Sequence, residues 1–124
     1  MLYGFKYTER NDYLMNGYSQ YLILSELQGR YYIDRFYKDR KYHIDITDQL
    51  PAFCQTIEMQ KTKEWHLQCY DSGINWFPDF GFRWSFSVIT DQVAVSCGGK
   101  DRFPPGWEAF TKVINQFGDI FSEF

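Results

Sequence analysis

The clearest periodicity in this chain lies at its C-terminal end. After Pro104-Pro105-Gly106, apolar residues fall at Trp107, Phe110, Val113, Ile114, Phe117, Phe121 and Phe124. Gaps of three and four place them on one face of a helix, with Glu108, Lys112, Asn115, Gln116 and Asp119 mostly on the other. Gly118 interrupts the pattern as a kink or a helix end. A second helical pattern, Leu50, Phe53, Cys54 and Ile57, follows Thr47 or Asp48 as the N-cap residue, with Pro51 in the first turn and a polar tail reaching about Lys63.

Everywhere else the period is two. Leu2 to Tyr7 reads as a first strand and Thr8 to Gly17 as a polar connection. Tyr18 to Tyr37 reads as a hairpin turning at Gln28-Gly29, where Gly supplies the positive φ of a tight turn. Apolar residues on both faces of this hairpin predict strands near the sheet centre. Lys38 to Lys41 is a charged turn, and Tyr42, Ile44 and Ile46 form the next strand. Trp65 to Tyr70 is another. Asp71 to Gly81 is a loop carrying Trp76, Phe77 and Phe80. Phe82, Trp84, Phe86 and Val88 alternate with Arg83, Ser85 and Ser87, and Val93 and Val95 return after a turn at Thr90-Asp91-Gln92. The Gly98-Gly99 and Pro104-Pro105 pairs then turn the chain into the last helix. The pattern predicts one α+β domain over residues 1–124: a mostly antiparallel sheet of five to six strands with two helices on one face.

Composition sharpens the picture at three points. Of 124 residues, 21% are aromatic, with 10 tyrosines that cannot all be buried without hydroxyl partners. Tyr and Trp are the residues that interfaces favour. The net charge is only −3, but residues 30–41 hold five cations against two carboxylates, while residues 42–124 hold six against eleven. Cys54, Cys69 and Cys97 are odd in number and widely spaced, as expected of reduced thiols in a cytoplasmic protein. The N-terminus lacks the apolar core of a signal peptide, and no run reaches the ~18 apolar residues of a membrane helix.

Catalytic and metal chemistry find little support. His66 and Cys69, three apart on a strand, point to opposite faces and cannot share a metal ion. No cysteine has a histidine placed by sequence to activate it. Asp71, Asp79, Asp91 and Asp101 sit in turns, where Asp serves local backbone bonds. Gly98-Gly99-Lys100 lacks the rest of a phosphate loop. No catalytic residue, metal or cofactor is therefore expected.

From Asp71 onward the chain resembles a family of small uncharacterised proteins from Gram-positive bacteria and their mobile elements. The residues carrying the resemblance are Gly81-Phe82-Arg83-Trp84 and the run Gly99-Lys100-Asp101-Arg102-Phe103-Pro104-Pro105-Gly106-Trp107-Glu108-Ala109-Phe110, which here has one extra residue between the Asp and the aromatic. The resemblance covers about the last 50 residues and implies an architecture, with no activity attached.

The leading expectation is a non-enzymatic protein-interaction module. By analogy with mobile-element proteins that block host machines, it would inhibit a bacterial defence protein, as anti-CRISPR proteins do. Tyr31, Arg35, Tyr37, Arg40, Trp76 and Phe80 are its expected contact residues. Two other readings compete. One is single-stranded nucleic-acid binding through the interleaved basic and aromatic residues 30–41. The other is a small ligand-binding or enzymatic domain with a pocket lined by Trp76, Phe77 and Trp84.

Overall fold

A computed structural model describes residues 1–12, 17–59, 70–71 and 81–121, the side chains of 70–71 and 116–121 excepted. Its strands are β1 (Leu2–Asn11), β2 (Tyr18–Leu27), β3 (Arg30–Tyr37), β4 (Arg40–Asp45), β5 (Tyr70–Asp71), β6 (Phe82–Thr90) and β7 (Ala94–Lys100). Its helices are α1 (Leu50–Glu58), entered through a 3-10 turn at Thr47–Gln49, and α2 (Trp107–Phe121). The fold is α+β, as the pattern predicts. The sheet order is β4-β3-β2-β1-β6-β7-β5. All pairs are antiparallel except the two-residue β5, which joins the β7 edge in parallel.

The hairpin turn at Gln28-Gly29 forms as read, with φ of 53° and 81°. The central strand, however, is β1, and β3 lies next to the edge strand β4. The two-sided apolar pattern of the hairpin has another cause. Leu22 and Ile33 point to the core, while Tyr21, Ile23, Tyr32 and Phe36 point to the opposite face. The polar stretch Thr8 to Asn11 also belongs to β1, because β2 and β6 both supply backbone partners along it. Glu9 can lie on the core side there because Gln20 and Tyr18 both donate to its carboxylate.

The core lies between one sheet face and both helices. Phe5, Tyr7, Trp84, Phe86 and Val88 meet Leu50, Phe53, Cys54 and Ile57 of α1 and Phe110, Val113 and Ile114 of α2. Phe110 is wholly buried, edge-on to Phe86 with ring centres 4.6 Å apart and to Tyr7 at 5.7 Å. Helix α2 runs through Gly118 to Phe121, so the glycine does not end it. At α1 no side chain caps the N-terminus; the 3-10 turn leads in, with the Leu50 N–H bonded to the Thr47 carbonyl.

Gly98-Gly99 lies within β7 and is not a turn. A Cβ on Gly98 would sit 2.8 Å from the Trp84 carbonyl oxygen, so the glycine allows β7 to approach β6. The turn comes at Asp101, whose φ is 58° and whose Oδ1 accepts the Phe82 N–H at 2.9 Å. The Trp84 indole N–H donates to the Arg102 carbonyl at 2.9 Å and ties the following segment to the sheet.

Candidate partner-binding face

Antiparallel register fixes what stands beside what on the face away from the helices. One row runs Lys100 (β7), Arg83 (β6), Arg10 (β1). The next runs Ser85, Thr8, Tyr21, Phe36, Lys41 across β6, β1, β2, β3 and β4. A third runs Ser87, Lys6, Ile23, Asp34, His43. Among the described residues, the core-forming side chains of α1 and α2 all lie on the other side of the sheet.

The first row sets cations directly opposite one another. Cross-strand like charges repel, so such a row is not what strand pairing alone would select. Arg10 is drawn toward Asp12, Nε to Oδ1 3.0 Å. Arg83 has no ion-pair partner among the described residues. Lys100 is buried at the far end of the row.

The second row opens into a groove of about 370 Å³ lined by Thr8, Arg10, Tyr21, Phe36, Lys38 and Arg83, among others. Its hydroxyls are joined, Thr8 Oγ1 to Ser85 Oγ. Its rings meet edge-to-face, Tyr21 to Phe36 at 5.5 Å, and Phe36 keeps 38% of its surface exposed. The Lys6 ammonium lies 5.3 Å from the Tyr21 ring centre and that of Lys41 5.4 Å from Phe36. Each lysine thus rests its charge on a ring face. Beyond them Tyr32 stacks on His43 at 3.9 Å, and His43 is bonded to Asp34.

Four of the six contact residues expected from the sequence are among the described residues, and they lie on the helix side. Tyr31, Arg35, Tyr37 and Arg40 share that side of β3 and β4. Arg35 is only 7% exposed; its Nε donates to Gln20 Oε1 at 3.1 Å, and its guanidinium lies 4.9 Å from the Tyr37 ring and 5.8 Å from Tyr42. Burial lowers the pKa of this guanidinium and raises that of the nearby Glu9 carboxyl. The group reads as an internal polar cluster, with Tyr37 against Tyr18 at 5.8 Å. Tyr31 packs on the core and donates its backbone N–H to Thr47 Oγ1 at 2.9 Å. Trp76, Phe77 and Phe80 lie outside the described residues, as do His66 and Cys69; Trp84 is in the core. Cys97 is half-buried within β7, beside Phe86 of β6.

Sequence reasoning gave no binding role to Arg10, Lys6 or Tyr21, named Arg83 only within the resemblance, and reached Phe36 only as part of the 30–41 stretch. The alternation of residues 18–37 does carry the aromatic half of the signal. The cationic half needs β1 beside β6, a pairing across more than half of the chain. Among the described residues no helix is long and apolar enough to cross a membrane, and no group of three or more His, Cys, Asp or Glu could hold a metal ion. No family model, curated protein or solved structure matches this chain.

Proposed function

We propose that this chain is a non-enzymatic protein-interaction module that docks its partner on the face of its sheet that, among the described residues, no helix covers. The observation that carries the reading is the Arg10–Arg83 pair opening into a groove with Tyr21 and Phe36. Like charges held side by side next to exposed rings are the composition of an interface centre, where Arg and Tyr dominate the binding energy. The resemblance of the C-terminal segment to small mobile-element proteins supplies a context: the surface would cover a bacterial defence protein and so inhibit it.

Photo-crosslinking tests the reading. A photoreactive phenylalanine analogue replaces Ser87 on the open face or Gln55 on the outer face of α1. In bacterial lysate the Ser87 position should give a discrete protein adduct that survives nuclease, and the Gln55 position none. Equal labelling from both positions, or an adduct that disappears with nuclease, would refute it.

A further inference from the structure

We infer that the open face takes an acidic protein segment, whose carboxylates sit on the Arg10–Arg83 pair and whose apolar residues meet Tyr21 and Phe36. The inference rests on the docking face proposed above and adds the chemistry of its occupant.

Charge complementarity is the first argument. The groove presents Arg10, Lys38 and Arg83; Asp12, outside its lining, pairs with Arg10 at 3.0 Å, and the one carboxylate residue of the lining, Glu9, turns its side chain to the helix side, where Gln20 and Tyr18 hold it. The protein as a whole carries −3, so this local excess of cations runs against its overall balance. With a Debye length of about 8 Å at physiological salt, the local cluster governs what binds and the net charge does not. Arginine forks also match carboxylates in a paired, directional way.

Two further observations favour carboxylates over a nucleic-acid strand. Strand binders offer bare ring faces for bases to stack on. Here Lys6 lies over Tyr21 and Lys41 over Phe36, so those rings offer mainly their edges to a partner. The face is also mixed in sign away from the groove: Asp34 is bonded to His43, and Asp45 to Arg30 at 2.6 Å. A phosphate backbone of uniform charge that left the Tyr21–Phe36 row toward His43 would run over these carboxylates. A protein segment can set its acidic residues over the arginines and its apolar ones over the rings.

The test is a titration of the isotopically labelled full chain followed by backbone amide shifts. The probes are a short peptide that alternates glutamate with leucine and a charge-matched oligothymidylate. The peptide should shift the amides of Thr8, Arg10, Tyr21, Phe36, Arg83 and Ser85, and the Arg10→Gln/Arg83→Gln double variant should weaken it at least about tenfold. Lys6→Gln/Lys41→Gln, a second variant on the same face, should weaken it less. Retained spectral dispersion shows that each variant is folded. Tighter oligothymidylate binding at the same amides would overturn the acidic-segment inference and leave the docking face standing. Peptide binding unchanged by the arginine variant would also overturn the inference. No shift on the open face with either probe would count against both the inference and the docking face.

Discussion

Replacing Phe110 by alanine tests whether α2 is held to the sheet in the way described. The side chain is fully buried and touches three other rings: Phe86 at 4.6 Å, Tyr7 at 5.7 Å and Trp107 at 5.6 Å. Phe→Ala in a core costs about 3–5 kcal/mol, the transfer loss plus the cavity left behind. Phe86 and Tyr7 are anchored in β6 and β1, two strands near the middle of the sheet, so the site cannot collapse far. Each lost ring pair adds about 0.5–1.5 kcal/mol beyond area alone. The expected loss is therefore in the upper half of the range, about 4–5 kcal/mol. That is a large share of the roughly 5–15 kcal/mol that holds a domain folded. In urea unfolding, with a slope of about 2 kcal/mol per molar, the midpoint should fall by about 2 M. Lys112→Ala, on the exposed side of the same helix, should stay within about 0.5 kcal/mol of wild type. A Phe110→Ala loss below about 1.5 kcal/mol would refute the docking of α2 through this ring.

Four other changes separate the remaining claims. Gly98→Ala should destabilise by about 1–3 kcal/mol in thermal melts, since its Cβ would meet the Trp84 carbonyl oxygen at 2.8 Å; a neutral result would show that β6 and β7 can part at no cost. Trp84→Phe should cost about 1–3 kcal/mol, because the Arg102 carbonyl loses its indole donor. Asp45 is held below its ordinary pKa first by Arg30 and then by Thr47, so its stabilisation is present above pH 3.8 and lost as pH falls further. Asp45→Asn should flatten the acid limb of a melting-temperature profile relative to wild type, a comparison that leaves the opposite contribution of Glu9, raised by burial, common to both proteins. Arg83→Gln should relieve the repulsion within its row and raise stability by up to about 0.5 kcal/mol at low salt while weakening partner binding; a loss above about 1 kcal/mol would mark Arg83 as structural.

Much of the fold follows from sequence alone, for a local reason. The period of Leu50, Phe53, Cys54 and Ile57, and that of Phe110, Val113 and Ile114, can be satisfied only by helices burying those faces, and both helices bury them. Gly29 marks the first hairpin because glycine takes the positive φ of such a turn without steric cost, and Gln28 follows it into that region. Short-range spacing could also mark most of the strands and show that residues 18–37 carry apolar side chains on two faces. It could not say why. Only the tertiary structure shows that one face is core and the other an open surface bearing Tyr21 and Phe36. Nor could it place β1 at the centre, extend it through Thr8–Asn11, or put Gly98 inside a strand, because those features come from pairing partners distant in the chain. The candidate face depends on the same long-range step. Arg10 and Arg83 are 73 residues apart in sequence and become neighbours only when β6 pairs with β1. The reverse holds for Arg35, which reads as a contact residue among basic and aromatic neighbours. The strand's alternation turns it inward, where Gln20, Tyr37 and Tyr42 surround it. Alternation along each strand sets the facing of its residues, and tertiary pairing decided which facings became a core and which a surface, because cross-strand neighbours are set by sheet order, which local spacing does not encode.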